Sequence, residues 1–280
     1  MKYFSLTSFD RANCYDDFIV PLLCRMINLE ELNLYVRIRR YDSTYIDGVQ
    51  LYDQILIYMK QLNKFTFSID TVIFNEEVTF ELQSNEDIQR SFIGRGYPQV
   101  ASYVHTISMD PEWEGKCHVY SLPYEFEYFH LDNSFQGGMF HKVRYLKMND
   151  TIPFEHKLFQ LISQEFPFLE FLYISDMDPQ EDKQHSSTLI TFPYLKLLDL
   201  KWAHVDYAEQ LLLKKNAHLP CLLNLCIDRE SLRMITNNFT IDATHFNFGT
   251  LKNLDVCQPL CHPYQPFVRP ENFQKYFPLL

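Results

Sequence analysis

Apolar residues recur along this chain at one fixed spacing, two positions skipped and then one, and between those short runs they recur at helical spacing. The short runs are Met1-x-x-Phe4-x-Leu6, Leu29-x-x-Leu32-x-Leu34, Leu62-x-x-Phe65-x-Phe67, Val104-x-x-Ile107-x-Met109 and Val143-x-x-Leu146-x-Met148. Four more follow at Leu169-x-x-Leu172-x-Ile174, Leu195-x-x-Leu198-x-Leu200, Leu222-x-x-Leu225-x-Ile227 and Leu251-x-x-Leu254-x-Val256. Alternation of the last two apolar residues with their neighbours predicts a short strand in each, one face inward and one open. Helical stripes lie between them: Phe18, Ile19, Leu22, Leu23 and Met26; Leu51, Ile55 and Met59; Phe154, Leu158, Leu161 and Ile162, with Pro153 near the first turn; and Val205, Ala208 and Leu212. Each stripe predicts a helix packed on the sheet. Phe166-Pro167-Phe168-Leu169, Phe192-Pro193-Tyr194-Leu195 and Phe277-Pro278-Leu279-Leu280 set a proline just ahead of a strand, which stops a helix and forces extended backbone.

The first residues of the nine runs are 28, 33, 42, 39, 26, 26, 27 and 29 apart, and most of these steps match the leucine-rich repeat. One such unit cannot bury its apolar face alone, so neighbours must stack along a shared core. The fold expected is α/β, a leucine-rich-repeat solenoid: a curved horseshoe with parallel strands on the concave face and helices on the convex face. It forms one irregular domain over 1–280 with longer inserted repeats around 67–142. Within those long steps Val72 and Phe74, then Val78, Phe80 and Leu82, then Cys117-His118-Val119-Tyr120 predict added strands or a hairpin.

The runs resemble the leucine-rich-repeat region of F-box/LRR proteins, whose repeats vary in length and whose concave face recruits substrates to a ubiquitin ligase. The resemblance spans nearly the whole chain. Two features depart from it. The Asn or Cys usual three residues after the last apolar position is replaced by Arg37, Asp70, Glu112, Thr151, Met177, Ala203, Glu230 and Pro259, which implies irregular turns. No F-box is present, so a link to a ligase adaptor would come from sequence outside these 280 residues.

A formal charge of −11 argues against nucleic acid or an anionic membrane as the main partner, since both require Lys and Arg to neutralise phosphate. The one compact basic run, Arg37-Ile38-Arg39-Arg40, is expected to be a solvated loop after the second strand. No stretch of about 18 apolar residues occurs, and the N-terminus lacks the pattern of a signal peptide. Seven cysteines without regular pairing suit reduced thiols. The expected location is cytoplasmic, with the nucleus as the alternative.

Catalytic chemistry has few candidates. Cys221, Cys226, Cys257, Cys261 and His262 are the best potential metal ligands, because Cys226 and Cys257 fall on or beside neighbouring strands, but their spacing is not that of a zinc site. Asp176-Met177-Asp178 with Glu181-Asp182 reads as an acidic surface loop, lacking the glycine and distal glutamate of a calcium loop. Gly94-Arg95-Gly96 does not complete a phosphate-binding fingerprint. His105, His118, His130, His141 and His156 show no HExxH pattern and no evident Ser or Cys partner.

The expected function is therefore a non-enzymatic scaffold, without cofactor or metal, that binds a protein partner on its concave face. The alternative is the substrate-recognition subunit of an SCF-type ubiquitin ligase; a less favoured one is a metal-dependent protein using the C-terminal cysteines. Alternation assigns Glu31, Asn33, Tyr145, Lys147, Phe171, Tyr173, Leu197, Asp199 and Lys201 to the open face, and the partner site to the last seven. Met1 and Leu280 both fall at repeat positions, which predicts a segment of a longer array or one with unusual caps, prone to self-association or fraying when isolated.

Overall fold

A computed structural model of the protein describes residues 2–41, 43–75, 82–97, 99–109, 112–182, 188–257 and 269–280. By internal contacts the chain forms two compact units, Met1–Phe126 and Glu127–Leu280. Both are α/β, with helices beside sheets that contain parallel strands.

In Met1–Phe126 the strands are β1 (Tyr3–Ala12), β2 (Glu31–Tyr41), β3 (Lys64–Asn75), β4 (Val100–Met109) and β5 (Glu112–Ser121), in sheet order β1-β2-β3-β5-β4. The first three are parallel and in step, Phe4 beside Leu32 beside Phe65 and Leu6 beside Leu34 beside Phe67. The apolar spacing thus sets the register, because a slip of one residue would turn every inward side chain out. A turn of π-helix at Tyr15–Ile19 leads into α1 (Val20–Cys24); α2 (Gly48–Gln54) and α3 (Asn85–Ser91) follow. Leu23, Leu51, Ile55 and Ile88 from these segments join Leu32, Leu34 and Phe67 in one core. Asp47 caps α2 by accepting from the Gln50 N–H at 2.8 Å, and Ser84 with Asp87 forms a capping box on α3. Gly48 donates to Ser91 Oγ at 2.8 Å, and a side chain there would meet the Ser91 carbonyl at 2.6 Å.

Three expectations change in this unit. Val104-x-x-Ile107-x-Met109 lies in β4, which is antiparallel to β5, itself antiparallel to β3; alternation is common to both strand directions, so spacing alone does not carry direction. Cys117–Tyr120 does fall in that hairpin, whereas Val78 and Phe80 lie outside the described residues. Arg37-Ile38-Arg39-Arg40 is no loop: it sits inside β2, with Ile38 fully buried and Arg37 beside Asp70 of β3. The first helical stripe is Tyr15, Ile19 and Leu23, four apart, leaving Phe18 (69% exposed) and Leu22 turned to solvent.

In Glu127–Leu280 the elements are β6 (Tyr128–Leu131), β7 (Tyr145–Asn149), α4 (His156–Glu165), β8 (Phe171–Asp176), β9 (Ile190–Thr191), β10 (Leu197–Ala203), α5 (Val205–Leu212), β11 (Ala217–His218), β12 (Asn224–Asp228), α6 (Arg229–Ile235), β13 (Asn253–Cys257) and α7 (Phe273–Tyr276). The main sheet, β13-β12-β10-β8-β7-β6, is parallel throughout, and β9 pairs with β11. Phe129, Leu146, Leu172, Leu198, Leu225 and Leu254 stand in one inward row across all six strands. β6 is a strand that the sequence reading passed over: Phe129 and Leu131 have the right spacing, but they lie too close to Val143 for a helical return. Buried aromatics fill this end, with Phe140 stacked on Phe166 at 4.7 Å and both against Phe129. The α4 stripe is His156, Phe159 and Ile162, with Phe154 buried just ahead of it, and α5 buries Tyr207, Ala208, Leu211 and Leu212.

Five strands of the main sheet, β7, β8, β10, β12 and β13, begin the same way. The N–H of the first apolar residue bonds the carbonyl three back: Val143 to Phe140, Leu169 to Phe166, Leu195 to Phe192, Leu222 to Leu219 and Leu251 to Phe248. The carbonyls of Glu127, Arg144, Glu170, Lys196 and Leu223 then each accept two N–H groups from the following strand, at 2.8–3.1 Å. At the far ends, aspartate side chains tie one loop to the next. Asp150 Oδ2 accepts from Asn133 N at 2.7 Å, Asp176 Oδ2 from Phe154 N at 3.3 Å and Asp206 Oδ2 from Gln180 N at 3.1 Å, each reaching back one loop. Asp176 is accordingly buried, not part of an acidic surface loop; the Tyr207 hydroxyl donates to it at 2.6 Å.

Candidate functional site

The open face of the Glu127–Leu280 sheet is set by alternation against its inward rows. Leu146, Met148, Leu172, Leu198, Leu200 and Ile227 are at most 1% exposed, so the residues between them must face the other way. Strand pairing arranges these into two rows. The first runs Tyr128, Tyr145, Phe171, Leu197, Asn224, Asn253, and the second runs His130, Lys147, Tyr173, Asp199, Cys226, Asp255. All seven expected site residues lie on this face: Tyr145, Phe171 and Leu197 in the first row, Lys147, Tyr173 and Asp199 in the second, and Lys201 one step beyond. Glu31 and Asn33 belong to β2, where Lys64 lies 3.6 Å from Glu31 and Asn33 donates to the Tyr3 hydroxyl at 3.1 Å.

The first row changes character along its length. Tyr128 stacks on Tyr145 with ring centroids 4.6 Å apart, and Tyr145 on Phe171 at 4.2 Å with the planes 2° from parallel. Beyond Leu197 the row becomes amide: Asn253 Nδ2 donates to Asn224 Oδ1 at 2.7 Å, and Asn224 Nδ2 to the Lys196 carbonyl at 3.3 Å. In the second row burial raises the Tyr173 phenol, aided by the Asp199 charge. Lys201 Nζ reaches Asp255 Oδ2 at 2.8 Å, and this hydrogen bond raises the ammonium above its ordinary value. Trp202, next along β10, is 48% exposed. Tyr128, His130, Trp202, Asn224, Cys226, Asn253 and Asp255 are face residues that the sequence reading left out. The same alternation would have named those on β12 and β13.

The thiols do not form a centre here. Cys226 stands beside Asp255, and Cys257 beside Asp228. Burial, then the Asp199 charge, pushes the Cys226 thiol up to about 11, which keeps it protonated and weakly nucleophilic at neutral pH. Cys221 is exposed. Cys261 and His262 lie outside the described residues, among which no three His, Cys, Asp or Glu side chains converge as metal ligands do.

On the open side of the Met1–Phe126 sheet, the stretch around Tyr35, Ser68 and Tyr120 is filled instead. Tyr35 (3% exposed) meets Phe9 at 5.8 Å and Phe126 at 5.4 Å, and Tyr124 meets Tyr120 and Phe126 at 5.3 and 5.7 Å. Beneath them His118 does have a serine partner: Nε2 lies 2.8 Å from Ser68 Oγ, and Nδ1 lies 2.8 Å from the Tyr103 hydroxyl. Such a contact resembles a nucleophile–base pair, yet Ser68 is 2% exposed and its Oγ also contacts the Tyr124 hydroxyl at 3.3 Å. Burial lowers the His118 pKa to about 4, against the pull of Asp70, so the ring is neutral at pH 7. The arrangement is a closed hydrogen-bonded network.

Comparison with known proteins adds no relative: no protein-family model, no curated protein and no solved structure matches the chain.

Proposed function

We propose that the chain is a protein-binding module of the leucine-rich-repeat class, acting without catalysis, which takes its partner on the open face of the Glu127–Leu280 sheet. The observation that carries this reading is the stacked series Tyr128, Tyr145, Phe171, continued by Leu197, on a face that also carries the charged Lys147, Asp199, Lys201 and Asp255 and the amides Asn224 and Asn253. Aromatic side chains offer large contact area for little lost freedom, and their pairing with charged neighbours is the usual composition of an interaction hot spot. Support for the repeat class comes from the regular strand starts, the shared inward row and the aspartates that bridge successive loops. The partner is a protein with an apolar patch for the aromatic end and polar side chains for Lys147, Asp199, Lys201 and Asp255.

The test is affinity capture with the full chain, followed by measurement of the same partner against Phe171→Ala and Tyr173→Ala. Each is expected to weaken binding by about 2 kcal/mol or more while leaving the circular dichroism spectrum intact. Unchanged affinity in both variants would remove the open face from consideration.

A further inference from the structure

The basic run in β2 splits by alternation. Arg40 turns to the helix side, where it holds both carboxylate oxygens of Asp16 at 3.1 Å and donates to the Thr44 carbonyl at 2.8 Å. Arg37 and Arg39 turn to the open side. There strand pairing sets Arg11 beside Arg37 and Arg37 beside Asp70. Arg39 stands beside Val72, whose partner on β5 is Lys116, and Glu114 follows two residues earlier on the same face.

Four cations therefore share this patch with two carboxylates. Arg37 is bound to Asp70 at 2.9 Å and Lys116 lies 3.6 Å from Glu114. Among the described residues that leaves Arg11 and Arg39 without an ion pair, two positive charges in a chain whose formal charge is −11. The side chains of both lie within half-buried residues, and the Nε of each is enclosed without a hydrogen-bond partner among the described residues. Arg39 rests over the Phe74 ring at 5.4 Å, which leaves the edge of its guanidinium fork unengaged. Burial draws the Arg11 pKa down; Asp70 and Glu114 oppose this, while Arg37 and Arg39 reinforce it. Charges of one sign held this closely raise the energy of the patch, and an anion lowers it.

We infer that Arg11 and Arg39 form a receptor for a phosphate monoester on the open side of the Met1–Phe126 sheet. A monoester carries about −1.5 to −2 charge at neutral pH, which matches the two uncompensated cations; a carboxylate or a phosphodiester supplies a single charge. Guanidinium forks take phosphate oxygens in pairs and do so better than ammonium groups. His118, next to Asp70 in the same row, stays neutral and does not add to the surplus. The site belongs to Met1–Phe126 and the proposed protein-binding face to Glu127–Leu280, and no residue is common to both, so either assignment holds or falls alone.

The full chain should be titrated with inorganic phosphate and, separately, with O-phosphoserine at constant ionic strength, chloride being the balancing anion. The readouts are the 15N-labelled arginine Nε–H resonances and the melting temperature. Saturable shifts of the Arg11 and Arg39 resonances and a rise in melting temperature are expected. R11Q/R39Q is expected to weaken binding about tenfold or more, and E114Q, which releases Lys116, to tighten it. Stronger binding of O-phosphoserine assigns a phosphate carried on a side chain; equal binding assigns the free ion. The inference is overturned if chloride alone gives the same response. It is equally overturned if E114Q leaves phosphate affinity unchanged, or if the two arginine resonances respond to single-stranded RNA and not to phosphate.

Discussion

The two units start their strands with the same apolar spacing and then treat their open faces in opposite ways. Met1–Phe126 turns its sheet around in an antiparallel hairpin and covers part of the open side with Tyr35, Tyr120, Tyr124 and Phe126, enclosing His118 and Ser68. Glu127–Leu280 keeps every strand of its main sheet parallel and leaves Lys147, Asn253 and Asp255 exposed beside half-buried aromatics. What differs is the use of aromatic residues. In one unit they close a surface over polar groups; in the other they form a row on it. An aromatic count, 24 Phe and 18 Tyr in this chain, therefore says nothing about recognition until the face each ring occupies is known.

The largest effects should separate inward from outward rings. Phe166→Ala removes a ring 1% exposed and stacked on Phe140, and is expected to cost about 3–5 kcal/mol in urea unfolding. Phe171→Ala, on the open face, should cost no more than about 1.5 kcal/mol; equal losses would erase the distinction. The enclosed network of the first unit predicts a pH dependence of stability. The His118 pKa falls from an ordinary 6.5 to about 4 on folding, so between those values the unfolded chain binds more protons. Its contribution is complete above pH 6.5 and is lost as pH falls towards 4, by about 3 kcal/mol. His118→Asn should flatten that slope when unfolding is measured at pH 7 and pH 4.5. Next in size, Asp176→Asn weakens the acceptor shared by Tyr207 and Phe154, for about 1–3 kcal/mol of stability. Smallest is Lys196→Ala, which breaks a 2.6 Å pair with Glu170 that is open to solvent and should change stability by less than about 1 kcal/mol.

Much of the strand layout was legible because inward residues must be apolar and alternate. Leu146, Leu172, Leu198, Leu225 and Leu254 were read correctly, and so was the side on which Tyr145, Phe171 and Tyr173 stand. Strand direction was not legible: Val104 and Ile107 satisfy the spacing in an antiparallel strand. Chain-distant polar pairs were equally hidden. Ser68 and His118 are fifty residues apart and meet only because β3 and β5 pair. The aspartate bridges were not legible because Asp150 and Asp176 come two residues after the last apolar residue of their runs, not at the third position, where the repeat pattern sets its Asn or Cys. Arg37 and Arg39 looked like solvent-facing charges, yet their alternation with the buried Ile38 already marks a strand.

The paired acceptance by the Glu127, Arg144, Glu170, Lys196 and Leu223 carbonyls fixes each strand of the second sheet at its first residue. Successive carbonyls of this series are 17, 26, 26 and 27 residues apart, and the strands align all the same. The sheet is ruled from one margin, like lines of print that start together and end where they please. Insertions or deletions in the returning segments change the length of the line without moving its first words, so Tyr145, Phe171 and Leu197 keep their neighbours. Such a chain can drift widely in its returns while what it displays stays in order.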